Sequence, residues 1–199
     1  MVVPPRMRST LRYGAVSRRA TLLAAATGVA GLVCAPRARA TLLRGLSLPA
    51  LVQQSEFILL GTPLRAASHW ELLGGRQRIV TDTIVRVDDV LAKAAPSERE
   101  VMIRTLGGTV GDRAALVDGE AALFPNETSV IFTVRYAGAE RVTGMAQGHY
   151  PLRADPDGLR LVQSPRAPEL VMDGEPAMHR LAGQELARAC SLIRAAASR

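Results

Sequence analysis

Cysteine is almost missing from this 199-residue chain: there are two, Cys34 and Cys190. Only Cys190 lies beyond the first forty residues, so the rest of the chain holds no internal disulfide and its stability must come from packing. Histidine is equally scarce. His69, His149 and His179 share no metal-ligand spacing, and there is neither a His-Glu-x-x-His motif nor a cysteine pair. Aromatic residues are few, and six remain once Tyr13 is set aside. They are not interleaved with basic residues as a base-stacking surface requires.

Acid is absent altogether from residues 1–40, which carry Arg6, Arg8, Arg12, Arg18, Arg19, Arg37 and Arg39. Those seven come out of 25 basic residues, so 18 basic face 18 acidic in the remainder, and the formal charge of +7 belongs to the N-terminal segment. A neutral remainder lacks the cation surplus that drives phosphate binding, which argues against nucleic acid as a partner. Residues 41–199 are enough for a single domain with a real core.

The first forty residues divide into an arginine-bearing stretch ending at Arg19, a charge-free stretch over residues 20–35, and Pro36-Arg37-Ala38-Arg39-Ala40. That is the layout of a secretory signal, with Ala38 and Ala40 as the small residues before a cut at Thr41. The apolar stretch is shorter than the roughly 20 residues a spanning helix needs, so no permanent membrane anchor is expected. Ser17-Arg18-Arg19 followed by Ala20-Thr21-Leu22-Leu23 resembles the twin-arginine signal of bacterial exported proteins. Leu22 matches that pattern, whereas Thr21 and Leu23 depart from it and leave the general secretory route open. The resemblance implies an export translocase as a partner during targeting, and a periplasmic or secreted destination.

Along the mature part, Ser47 is positioned to cap a short helix over residues 48–54, with Pro49 tolerated in its first turn. Residues 57–64 read as a buried strand with a bend or bulge at Gly61, and Gly74-Gly75 turns the chain. In residues 78–91, Ile79, Thr81, Thr83, Val85 and Val87 alternate with Asp82, Arg86 and Asp88. The phase then changes at Val90-Leu91, as in a long strand that bends and exchanges faces. Residues 100–106 form a further strand with Val101, Ile103 and Thr105 on one side. Residues 113–123 are ambiguous between a short helix and a hairpin. Strands follow at 129–136, 148–154 and 159–163, the last two joined by the hairpin signal Asp155-Pro156-Asp157-Gly158. Pro176 opens a C-terminal helix spanning 175–197, with Met178, Leu181, Ala182, Leu186, Ala189, Cys190 and Ile193 as its apolar stripe.

Strands without intervening helices predict a mainly β (α+β) domain. It is a single antiparallel, partly open β-barrel or sandwich, with a short N-terminal helix and a C-terminal amphipathic helix. The segments Phe-Ile-Leu-Leu-Gly-Thr, Val-Met-Ile-Arg-Thr-Leu-Gly-Gly and Phe-Pro-Asn-Glu-Thr-Ser-Val-Ile-Phe make residues 47–163 resemble exported bacterial domains with an OB-type, netrin-like barrel. These are core and turn patterns, so the resemblance implies a fold rather than an activity.

Candidate chemistry is thin. Cys190 sits on an apolar helix stripe, as a core thiol does. No Gly-x-Ser-x-Gly elbow occurs, and Asp88-Asp89 diverge on a strand. The glycine-rich run from Leu106 to Asp112 lacks the Gly-Lys-Ser/Thr of a phosphate cradle and reads as a loop needing positive φ. The segment from Gly144 to Tyr150 bundles adaptable backbone with Gln147, His149 and Tyr150, which makes those three the candidate ligand-binding residues, close backbone approach being the plainer explanation. The expectation is an exported, non-enzymatic binding or interaction domain with no cofactor, its partner a protein or a small ligand. The alternatives are a hydrolase or metal-dependent enzyme whose site is assembled from distant residues, and an accessory subunit exported with a cofactor-bearing partner.

Overall fold

Ser47 begins the first helix as its sequence foretells. Its hydroxyl accepts from the amide of Ala50 at 3.4 Å, and α1 (Leu48–Gln54) buries Leu48, Leu51 and Val52. This is a computed structural model that describes residues 43–93, 98–167, 170–171 and 174–198. The export segment, with Arg18, Arg19, Ala38, Ala40 and Thr41, lies outside the described residues.

A two-residue strand, β1 (Leu43–Arg44), precedes α1. After it come two long strands, β2 (Phe57–Leu73) and β3 (Arg76–Lys93), turned at Gly74-Gly75. They are longer than their hydrophobic runs because each supplies the other's hydrogen bonds along the whole length. Next are β4 (Glu100–Leu106), the small hairpin β5 (Gly108–Val110) and β6 (Arg113–Ala115), β7 (Ser129–Tyr136), β8 (Ala139–Val142), β9 (His149–Asp155), β10 (Gly158–Leu161) and β11 (Leu170–Val171). Helices α2 (Ala177–Leu181) and α3 (Leu186–Ala197) close the described chain.

The main sheet runs β10-β9-β7-β2-β3-β4-β8, and β7 also pairs with β8. Strands β2, β3, β4, β8 and β7 therefore follow one another round a ring. The sheet is partly ring-like and stops short of a barrel; its weakest join is β4 to β8, a parallel contact at Ile103 and Glu140. The mainly β class with a short N-terminal and a C-terminal helix is thus as expected, with this parallel contact making the sheet mixed.

Bulges divide the interior in two. Pairing of β2 with β3 skips Asp88 and Leu91 on one strand and Leu64 on the other. A skipped residue reverses which side its successors face. Val85 and Leu91, both odd-numbered, accordingly enter different cores, which is the exchange of faces that the break in alternation implies. One core lies inside the ring and includes Phe57, Leu59, Val85, Val101, Ile103 and Ile131. The other lies between the sheet and the helices, where Ile58, Val130, Phe132, Tyr150 and Leu161 meet Leu51, Leu181, Ala189 and Ile193.

Two elements differ from expectation. The helix over 175–197 is two helices: Ala182 takes an extended ψ of 138° and Gly183 a φ of +79°. The break docks on β10, with Gly183 N–H donating to Leu161 O at 2.8 Å and Leu161 N–H to Gln184 O at 3.0 Å. Tertiary hydrogen bonds outweigh helical continuity there, while Met178, Leu181, Ala189, Cys190 and Ile193 still present one buried stripe. Strand β8, for which the pattern carries no signal, returns from β7 through Ala137-Gly138, both at positive φ as a two-residue hairpin of this twist demands.

Candidate ligand-binding groove

The three side chains singled out in the sequence are interior. Gln147 lies in a 3-10 turn, Met145–Gly148, where its Oε1 accepts from Leu46 N–H at 2.8 Å and its Nε2 donates to Arg44 O at 3.1 Å. It tethers the chain entering α1. His149 is fully buried between Ser129 Oγ, 3.1 Å from Nε2, and Ser164 Oγ, 3.0 Å from Nδ1. Ser129 spends its own proton on Glu127 O, so it accepts from Nε2–H, and Nδ1 accepts from Ser164. Burial lowers the His149 pKa to about 4, so the ring is neutral. Tyr150 packs edge-on to Phe132, ring centroids 6.0 Å apart, and burial raises its pKa. Gly148 explains the glycines of this segment: a Cβ there would strike Thr143 O. Close backbone approach, the plainer of the two sequence readings, describes what these residues do here, and none of them lines the grooves described below.

Other sequence candidates are likewise occupied. Cys190 is buried in the helix-side core with its thiol pKa raised by desolvation. Asp88 accepts from Thr62 and Arg86, while Asp89 accepts from the amide of Val90. His69 and Glu71 share a face, with Arg104 between Glu71 (2.7 Å) and Asp82 (2.6 and 2.8 Å) and His69 Nδ1 3.8 Å from Asp82. The guanidinium, its pKa raised chiefly by the bond to Asp82, fills the space between these acids. His179 is exposed on α2. Among the described residues no three of His, Cys, Asp and Glu gather as a metal would require.

Open space lies at the other end of the ring. Inward positions of β3 and β4 are apolar at Val85, Val101 and Ile103 and become hydroxyls at Thr81, Thr83 and Thr105. Ser68 on β2 stands beside Thr81. Together with Ala121–Phe124 and Leu116 these residues line a groove of about 530 Å³, with Arg166 at its edge, a size usual for small-molecule sites. A neighbouring groove of about 550 Å³ holds Trp70, Gln77, Asp112 and Arg113, and β6 stands between the two. A third, apolar groove of about 460 Å³ runs between the β9–β10 hairpin and α3, lined by Leu60, Leu152, Leu159 and Leu186.

Hydrogen bonding at the ring mouth has a fixed direction. Thr81 donates to Gly107 O at 2.7 Å, so the 2.8 Å contact between Ser68 and Thr81 must have Ser68 as donor. Ser68 in turn accepts from Thr109 N–H at 3.3 Å. This chain of bonds ties the β5–β6 flap to the sheet. Gly108 permits it: φ is +129°, and a Cβ there would collide with both Ser68 Oγ and Thr81 Oγ1. The glycine run is therefore a hinge for close approach and no phosphate cradle. Thr105 donates only a long 3.5 Å bond to Thr81 O. Thr83 is 1% exposed, and its hydroxyl forms no hydrogen bond among the described residues.

Leu116 and Phe124 complete the rim, 68% and 47% exposed. Arg166 is exposed and forms no ion pair among the described residues. It rides on a turn closed by Ala167 N–H to Ser164 O, and Ser164 is the residue clamped by His149. Next to the groove-lining segment Ala121–Phe124, Glu120 is buried with its carboxyl pKa raised by desolvation, against amide donation from Leu106 and Ala121 and the charge of Arg141.

Sequence reasoning did not single out Ser68, Thr83, Leu116, Phe124 and Arg166, which line this candidate groove. A signal existed for part of the set: Thr81, Thr83 and Thr105 place hydroxyls where the same strand faces are otherwise Val and Ile. No family model matches the chain, and no curated protein and no solved structure is similar to it.

Proposed function

We propose that the chain is an exported binding domain that holds its ligand at the open mouth of the ring, beneath the β5–β6 flap. The observation that carries this reading is Thr83, a nearly enclosed residue whose hydroxyl bonds no other group among the described residues, in the lining of a groove whose rim exposes Leu116 and Phe124. A hydroxyl that bonds no other group among the described residues is free to meet a ligand entering the groove, and exposed apolar side chains at a rim are costly to a fold until something covers them. Export is supported by the acid-free, arginine-bearing residues 1–40. The order β2-β3-β4-β8-β7, with β4 and β8 parallel, supports the OB-type resemblance.

Mapping a small-fragment library by amide chemical shift tests the site. Binders are expected to perturb Thr83, Thr105, Leu116 and Phe124 together, and a screen whose hits all fall elsewhere overturns the assignment. For export, N-terminal sequencing of protein recovered outside the cytoplasm is expected to begin at Thr41; a chain retained whole in the cytoplasm refutes that half.

A second reading, an accessory subunit exported with a partner, has its own observation. The distal β2–β3 ribbon exposes Trp70 and Leu72 beyond the ring, and an exposed tryptophan is a common anchor of protein interfaces.

A further inference from the structure

We infer that the ring-mouth groove selects an anionic amphiphile, a carboxylate carried on an apolar chain. The inference rests on the groove being a ligand site and adds the chemical class. Among the described residues no aspartate or glutamate lines this groove, and its one formal charge is Arg166. In a stretch of chain where acids and bases balance over residues 41–199, an arginine with no ion pair among the described residues, beside a cleft to which they bring no acid, makes the site complementary to an anion.

Proton accounting sharpens the class. The hydroxyls of Ser68 and Thr81 spend their protons on Thr81 and on Gly107 O, so neither donates to a ligand. The donors left to a ligand are the hydroxyls of Thr83 and Thr109, that of Thr105, which is held only by its long 3.5 Å bond, and the Arg166 guanidinium. A carboxylate accepts from a guanidinium and from hydroxyls alike, whereas an ammonium meets no acid among the described lining residues and is repelled by Arg166. An uncharged alcohol gains the hydroxyl contact but leaves the guanidinium with water alone. The remainder of the lining, Leu116 and Ala121–Phe124, is apolar and exposes a leucine and a phenylalanine at the rim, which suits a hydrocarbon body. The turn that carries the cation has a buried anchor, the His149–Ser164 bond at its root, so the backbone of the turn is held at the groove's edge with or without a ligand.

The test is calorimetric titration of the full chain with decanoate and decyltrimethylammonium, each below its micellar concentration, and with decanol below its solubility limit, with amide shifts recorded alongside. Decanoate is expected to bind once per chain and about tenfold or more tighter than either analogue, as one charge-assisted contact provides. Arg166→Gln is expected to remove that preference and leave decanol binding unchanged. Arg166 is exposed, so this variant folds, and Thr83→Val is expected to weaken decanoate several-fold. Equal affinity for acid and alcohol, or an Arg166→Gln variant that binds decanoate like the parent, overturns the anionic class. If decanol or the ammonium moves the amides of Thr83, Leu116 and Phe124 while decanoate does not, the groove stands as a site and this inference falls. If none of the three moves them and the fragment library also fails there, both fall.

Discussion

The helix-side core and the ring interior are built from alternate residues of the same strands, yet they end differently. On the helix side Ile58, Val130 and Phe132 meet Leu51, Leu181 and Ile193 in a closed core, with open space only at its margin, in the groove beside Leu60, Leu152 and Leu186. Inside the ring Leu59, Val85 and Ile131 pack at one end, and Thr81, Thr83 and Thr105 face a groove at the other. Apolar burial of a few tens of cal/mol per Å² favours closing any such space. A ring half lined with hydroxyls and capped by exposed Leu116 and Phe124 therefore gives up stability that the helix-side core collects. The proposed site rests on this difference: one interior is closed by apolar packing, and the other ends in an open, hydroxyl-lined groove.

The sharpest way to break the comparison is to cut each side. Leu51 and Ile193 are fully buried on the helix side. Leu51→Ala or Ile193→Ala is expected to cost about 2–5 kcal/mol, the transfer term plus the cavity, measured by the shift of a urea unfolding midpoint. A loss below about 1 kcal/mol would show this core to be loosely packed, and the contrast would fail.

Next in size is acid. His149 stands at the seam, clamped between Ser129 on β7 and Ser164 on the turn that carries Arg166. Its folded pKa of about 4 lies below the ordinary 6.5. The unfolded chain therefore binds the proton first, and stability falls as the pH drops below about 6.5, with the full loss reached near pH 4. The shift corresponds to about 3 kcal/mol. Glu120 acts in the opposite sense: its raised pKa lets the folded form take a proton more readily, which adds stability as acid increases. His149→Gln separates the two. Stability of the variant followed from pH 7 to pH 4 is expected to lose the downward slope, and an unchanged slope would assign it to other groups.

How far the sequence announced this arrangement depends on the range of the forces involved. Helix α1, β4 and β7 follow from a capping serine and from local alternation. The exchange of faces in β3 was visible in the phase change at Val90-Leu91. Strand β2 runs to Leu73 rather than 64 because its weak Arg65-Ala66-Ala67 stretch is held by pairing with β3, which no local pattern records. The break at Gly183 depends on β10 for the same reason. In the site, the threonine row was on the page, but Arg166 joins it from a turn sixty and more residues along the chain. Gln147, His149 and Tyr150 stood out because polar and aromatic groups were clustered with glycine, a pattern that a tightly packed turn also produces.

A smaller effect tests the hairpin that the sequence hid. Ala137 holds φ at +52° on the exposed turn between β7 and β8, a conformation in which a Cβ is strained. Ala137→Gly is expected to raise stability by up to about 1 kcal/mol, the relief of strain exceeding the added freedom of the unfolded chain. A thermal midpoint that falls instead would mean the turn carries no such strain. Because β8 belongs to the ring alone, the substitution strengthens that side of the comparison without touching the helices.

The smallest expected change in stability is the most informative about the groove. Thr133 and Thr83 both point into the ring, the first fully buried and donating to Phe57 O at 3.0 Å, the second without a partner. Replacing a bonded, buried hydroxyl costs about 1 kcal/mol, whereas replacing an unpaired one is neutral or stabilising. Thr133→Val should therefore lower the urea midpoint and Thr83→Val should leave it level or raise it. If the two variants lose stability alike, Thr83 has a structural role after all, and the ring mouth closes on itself as the helix-side core does. If they diverge, the hydroxyl at position 83 is retained at a cost to the fold, and that cost is what a ligand donor in a half-open ring entails.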